Sequence, residues 1–376
     1  MRIFHFHQQA AAVAEIDALP KRLPDTGFFW IACERQFFEH DLLLVQSALQ
    51  TLCGASLMDL HVSDLLNPQL TSHFEDTSQY SILVFRRLAA GSAEVDPPLP
   101  KPVRRSGPPV LRRIDTRPVG FVVFDRLLLT VHPSGCSVLR LYAERLLAST
   151  TVAHMSSGRA VNAGLPASPA DLMLRIVDQM VDGYLALRRD LTRQLDHWQA
   201  ELLHPSTRFN NWSALLDARI SLHQLDEICE DQRAAIQDWI EALAGWDVGQ
   251  EGHTDDLGLH KGVLEQLKVR SRDVLEHIER VTHHVRRLEQ NAEIAVQMHF
   301  SAQSNRTNDI MRTLTALTAI FLPLNLIAGI FGMNFDFIPL LHDQGGFWWA
   351  MGTMLVVAVV LTALFWRKRY LARTGH

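Results

Sequence analysis

Residues 311–334, MRTLTALTAIFLPLNLIAGIFGMN, decide the fold. Beyond Arg312 the run carries no charge as far as Phe331, about 20 residues, which matches a hydrocarbon core of roughly 30 Å at 1.5 Å per helical residue. A second uncharged run, Phe347 to Trp366, opens with Phe347-Trp348-Trp349 and closes with Phe365-Trp366, as aromatic belts at the two membrane interfaces do. Two adjacent runs of this kind favour membrane spans over buried core helices. The spacing predicts spans over 311–331 and 347–366, joined by a loop over 332–346. Arg306 and Arg312 precede the first span, and Arg367, Lys368, Arg369 and Arg373 follow the second, while the loop has Asp336 and Asp343 but no Lys or Arg. The positive-inside bias therefore expects a multi-pass protein of the inner (plasma) membrane, with both termini cytoplasmic and the loop outside.

The first span is not uniformly lipid-like. Asn308, Met311, Thr315, Thr318, Leu322, Asn325 and Gly329 recur at steps of three or four, so they share one helical face on which polar and small residues alternate with apolar ones. An Asn at membrane depth is costly unless it is paired or wetted, which marks Asn325 as a candidate functional residue. The alternative is a helix-packing face that uses Thr and Gly as small contacts, and the two coincide if several copies surround a pore. Met311, Leu314 and Leu322 are expected to act as apolar constrictions. Pro323 removes a backbone hydrogen bond and is expected to bend the helix.

Gly332-Met333-Asn334 directly after the first of two C-terminal spans, in the setting Leu322-Pro323-Leu324-Asn325-Leu326-Ile327-Ala328-Gly329-Ile330-Phe331, resembles the signature of CorA-type divalent cation transporters. The resemblance implies a homopentameric channel whose first spans line the pore, whose loop motif captures hydrated Mg2+ at the outer mouth, and whose cytoplasmic domain senses the ion. On that basis Gly332, Met333 and Asn334 match the selectivity motif, with Asn334 as the metal-facing group, and Asn308 matches the polar residue at the cytoplasmic end of the pore. Phe335-Asp336 is similar to the family's aromatic-acidic continuation. Leu340 stands after Pro339 where magnesium members carry Glu, which leaves room for the zinc-transporting ZntB-like branch. The family's acidic position about three turns before Asn308 falls here on Gln297, with Glu293 one turn earlier.

The rest of the chain fits a cytoplasmic body. With 376 residues and 47% hydrophobic content there is room for about two soluble domains besides the spans. A net charge of −5 without a basic stripe argues against nucleic acid as a partner. The four cysteines lie far apart without a paired motif, as buried cytosolic thiols would. The N-terminus turns polar by Gln8 and has no signal-peptide core.

Strands are predicted over Ile3–Phe6, Phe28–Ala32, Ser81–Phe85, Gly120–Phe124 and Leu127–Val131, with helices over Asp41–Leu52 and Ser137–Leu147, an α/β domain over 1–165. In the first helix Leu42, Leu43, Val45, Ala48, Leu49 and Leu52 are taken to share one side. His5 and His7 share a strand face, more simply as structural residues than as metal ligands. Glu94 to Pro118 is rich in Pro and Arg, a composition without a core, and reads as an exposed insertion or a docking segment.

From Ser168, a plausible N-cap with Asp171 three residues on, a helical stalk is expected over 166–310. Leu172, Ile176, Met180, Val181 and Leu185 stripe its first helix, and a second covers Asn211 to about Leu243. A third carries Leu264, Leu267, Val274, Ile278, Val281, Val285, Leu288, Ala292 and Ala295 in a heptad-like seam and runs unbroken into the membrane. His277, His283, His284 and His299 on it offer a softer, zinc-tolerant surface that lacks a third ligand at fixed spacing.

The expectation is an α+β membrane protein that forms an oligomeric channel, with a pore domain over 311–376. It would move a divalent cation, magnesium foremost, through a pore lined by Asn308, Met311, Leu314, Thr315, Thr318, Leu322, Asn325 and Gly329. Zinc on the same scaffold is the alternative, and a membrane-anchored coiled-coil scaffold is the alternative from another class. No catalytic motif is present, so neither an enzyme nor a catalytic cofactor is expected.

Overall fold

A computed structural model describes residues 1–7, 12–90, 114–155, 165–203, 212–248, 257–333 and 345–367. Asn334, Asp336, Asp343, Leu340 and most of the Pro/Arg-rich stretch lie outside these residues. The chain divides into two compact units, Met1–Glu293 and Ile294–His376.

The first unit is built on a sheet of seven strands in the order β2-β1-β3-β9-β8-β5-β4. These are β1 Arg2–His7, β2 Ala12–Ile16, β3 Phe28–Glu34, β4 His73–Asp76, β5 Ser81–Arg86, β8 Pro118–Phe124 and β9 Leu127–His132, with β6 Ala89–Ala90 and β7 Ile114–Asp115 as a separate short ribbon. Neighbours are antiparallel except β3 and β9, which pair in parallel with Trp30 opposite Leu128. The central strands read as unbroken apolar runs because both faces are covered. Period-two alternation then sends successive residues to different cores. Phe28, Trp30 and Ala32 enter the core shared with the long helices, while Phe29, Ile31 and Cys33 enter the opposite one. Trp30 stacks on Phe4 at 4.7 Å and satisfies its indole N–H on Thr130 Oγ1 at 3.1 Å, so the sheet centre has no orphaned donor there.

The second core is closed by α1 Arg35–His40, α2 Leu42–Cys53 and α3 Asp59–Leu66. On α2 the buried positions are Val45, Leu49 and Leu52, but Leu43 is 86% exposed. The expected side was drawn too wide: Leu42, Val45, Leu49 and Leu52 follow the 3-4-3 spacing of one stripe, and Leu43 falls outside it. Gly120 on β8 lets α3 approach closely, because a Cβ there would collide with Leu65.

The first core takes in α4 Ser137–Met155, α5 Pro169–Leu203, α6 Trp212–Val248 and the first part of α7 Leu257–Phe331. The predicted start of α5 is present: Ser168 Oγ accepts from the Asp171 N–H at 3.1 Å and Asp171 Oδ2 accepts from the Ala167 N–H at 3.0 Å, a reciprocal cap with Pro169 at the first turn. Asp171 also binds Arg175 at 3.1 Å and lies 2.7 Å from Arg270 Nε of α7. Leu172, Ile176, Met180 and Val181 are buried as expected, and so is the α7 seam from Leu267 to Ala292. That seam is spent within one chain, against α5 and α6, where Trp239 donates to Ser271 Oγ at 2.9 Å and Tyr184 meets His284 at 2.8 Å.

Asp171 is therefore cap, ion-pair partner and helix–helix tie at once. Asp171→Ala leaves two guanidiniums without their carboxylate, and about 3 kcal/mol of stability should be lost in denaturant unfolding. An unchanged midpoint would contradict this role.

Candidate functional site

Among the described residues, two helices are long and apolar enough to cross a membrane: α7, which passes into the second unit and ends at Phe331, and α8 Gly346–Arg367. The helix assignment continues through Pro323. Along the apolar part of α7, Ala316 is buried and Ala319, Ile320, Pro323, Leu324 and Ile327 are half-buried. At about 100° per residue these fall on one strip. Asn308, Met311, Leu314, Thr315, Thr318, Leu322, Asn325 and Gly329 are all exposed and fall on roughly the opposite side of the helix. The less exposed residues of α8, Gly346, Ala350, Met354, Val357, Ala358, Leu361 and Phe365, likewise make a single strip.

The polar groups on α7 differ in how they are satisfied. Thr315 Oγ1 donates to Met311 O at 2.7 Å and Thr318 Oγ1 to Leu314 O at 2.9 Å, so each hydroxyl proton is bound within the helix while its oxygen lone pairs face outward. Asn325 makes no such bond, and no partner meets its side chain among the described residues.

At the end of α7 the Gly332 N–H donates to Ala328 O at 2.9 Å and the Met333 N–H to Ile330 O at 3.3 Å. A Cβ on Gly332 would sit 3.1 Å from Ala328 O, tighter than ordinary packing, which gives the glycine of the motif a steric reason. The last carbonyls of α7 and the negative end of its dipole thus point toward the motif, a favourable field for a cation.

A second constellation lies in the first unit. Asp178 and Asp182 on α5 and His277 on α7 bring one ligand atom each to within 4.8 Å of one another. His277 Nδ1 is 3.1 Å from Asp178 Oδ1 and 3.8 Å from Asp182 Oδ1, and its Nε2 is 3.9 Å from Asp273. Asp273 can fix the ring so that Nδ1 faces the two carboxylates. Burial pushes the Asp178 carboxyl up, and neighbouring Asp182 adds to this while His277 opposes it. An arriving cation would relieve that repulsion.

Of the other histidines expected on α7, His284 is tied to Tyr184 and Thr192, and burial holds its pKa down. Glu293, near the expected regulatory position, is paired with Arg219 at 2.9 Å. His5 and His7 touch at 3.6 Å between ring centroids, and burial lowers the His5 pKa. The missing third ligand for His277 comes from α5, about a hundred residues earlier. Its only trace in the sequence is the i, i+4 pairs Asp178/Asp182 and Asp273/His277.

Apolar helices of spanning length, one of them carrying amides and hydroxyls in line on its exposed side, are the build of a membrane protein. Residues 44–369 match the family described as CorA-like Mg2+ transporter protein, and the chain belongs to that family, whose members are transporters and not enzymes. The cobalt/magnesium transport protein CorA of Thermotoga maritima is 26% identical over 204 residues, 53% of this chain and 52% of the relative, so the chain spans about half the length of that protein in the match. The solved structure of the CorA magnesium transporter from Methanocaldococcus jannaschii has the same fold, with a TM-score of 0.65 at 16% identity, covering 100% of this chain and 98% of that one. The ZntB cytoplasmic domain of Vibrio parahaemolyticus has a TM-score of 0.53 at 14% identity, covering 82% of this chain and 98% of that domain. The α+β unit with its long helix and two apolar C-terminal helices is thus a CorA-like fold.

If the exposed face of α7 is wet, Asn325→Leu extends the apolar stretch at Leu322 by about one turn and should block conduction while leaving oligomer size unchanged. If Asn325 instead holds helices together, the same change costs about 0.6 kcal/mol of association and leaves flux nearly intact. Flux and size measured on this one variant separate the two, and retained flux would refute the pore-facing register.

Proposed function

We propose that the chain conducts a hydrated divalent cation, magnesium foremost, across the cytoplasmic membrane through a pore lined by α7 from five copies. The observation that carries this reading is the exposed Asn/Thr strip of α7, opposite its covered strip and ending at Gly332-Met333-Asn334. Family membership and the cobalt/magnesium assignment of the Thermotoga relative support the ion class. Both termini lie in the cytoplasm and the loop outside. The functional parts are the α/β body over 1–165, the stalk over 166–310 and the pore over 311–376.

Mg2+ parts with its waters reluctantly, so a pore that passes it is best lined by groups that bind the water shell. The amides of Asn334, Asn325 and Asn308 suit this at the mouth, the middle and the cytoplasmic end, and being neutral they do not trap the ion. Met311, Leu314 and Leu322 close the path by dewetting. Thr315 and Thr318 keep the wall polar between them, and Gly329, without a side chain, leaves room for the water shell. Asp336 and Asp343 draw cations to the outer mouth, where Leu340 supplies no charge. Asp178, Asp182 and His277 serve as a cytoplasmic site that reports the internal ion. No thiol lines the pore, so no feature of the α7 face selects zinc over magnesium.

Asn334→Ala removes the amide that holds the water shell. Uptake of Mg2+ by liposomes containing the purified variant should fall by about tenfold or more, with assembly intact. Uptake equal to that of the unaltered chain would overturn the selectivity assignment.

A further inference from the structure

We infer that the cleft beside the cytoplasmic cation cluster binds a diphosphate-bearing anion together with the cation, so that this unit recognises the metal as a phosphate chelate. The inference rests on the reading of Asp178, Asp182 and His277 as a cation site. A cleft of about 320 Å3 opens between α4 and α5, lined by Tyr142, Arg145, Arg175, Asp178, Gln179 and Asp182. That volume is near the lower end of ligand pockets, roughly 300–1,000 Å3, and is large for a lone ion.

The cleft carries both signs of charge. Asp178 and Asp182 line it and also meet His277 in the cluster described above. Arg145 and Arg175 line it too, and Arg175 shares Asp171 with Arg270, which lies 2.7 Å from that carboxylate. Arg145 Nη1 donates to Gln179 Oε1 at 2.7 Å, a bond that uses one of the five donors of the fork and orients it. Tyr142 also lines the cleft, and burial pushes its hydroxyl up to about 12.

Coordination chemistry gives the acidic and basic side chains a shared task. Two carboxylates and one imidazole leave an octahedral magnesium ion about three positions short. Mg2+ commonly completes such sets with phosphate oxygens and water. A diphosphate lying on the cation would present its remaining oxygens to Arg145 and Tyr142, as bidentate guanidinium recognition requires.

Calorimetry on the detergent-solubilised full chain tests this with Mg2+ alone, inorganic diphosphate alone, diphosphate with Mg2+, and adenosine diphosphate with Mg2+. Diphosphate binding should need Mg2+ and should weaken by about tenfold in Arg145→Ala, an exposed position whose thermal unfolding should be unchanged. Mg2+ binding without diphosphate should be unaffected by Arg145→Ala and lost in Asp178→Asn. Tighter binding of the nucleotide than of inorganic diphosphate identifies a nucleotide as the source, and equal binding identifies the diphosphate group alone. If Mg2+ binds through Asp178 while diphosphate adds nothing, or adds binding indifferent to Arg145, the inference fails and the cation site stands. If neither Mg2+ nor its diphosphate complex binds, both fail.

Discussion

An amide set among hydrocarbon has to meet water or another polar group, and Asn325 imposes that demand on the apolar half of α7. The threonines on the same face answer it locally by donating to the carbonyl four residues back. Asn325 makes no such bond among the described residues. Its side of the helix is therefore committed to a wet path or to a polar neighbour, and the covered strip through Ala316, Ile320, Pro323 and Ile327 is left for apolar packing. Helical geometry separates the two strips, so one apolar helix can serve both solvents.

The same economy governs the soluble unit. Asp171, Arg175, Asp178 and Asp182 follow one another at steps of four, three and four along α5, and Arg270, Asp273 and His277 at three and four along α7. The cap at Ser168 and the Asp171–Arg270 ion pair set the register in which these stripes meet. With that end fixed, Asp178 and Asp182 arrive opposite His277 without further adjustment. A structural carboxylate near the start of α5 thus positions the two that lie against His277.

Much of the fold was legible because its strands and its long helix obey simple periods. Unbroken apolar runs at Phe28–Ala32 and Gly120–Phe124 announced strands, and the absence of a Pro between about His260 and Pro323 announced one continuous helix. Shorter elements were not legible. β2, with sequence AVAEI at the sheet edge, alternates too weakly, and α1 and α3, of 6 and 8 residues, are too short for a helical period to register. The exposed strip of α7 could be read from its 3-4 spacing. The Asp178/Asp182/His277 cluster could not, since its members lie about a hundred residues apart and become neighbours only when α5 packs on α7.

The central claim is that this chain forms a water-filled path for a hydrated divalent cation. Flux into liposomes reconstituted with the purified chain, driven by an inside-negative potential and followed with Mg2+ and Zn2+ in parallel, tests it most directly. The account predicts saturable Mg2+ entry that exceeds Zn2+ entry under the same gradient. No Mg2+ entry, or entry of Zn2+ alone, would contradict it.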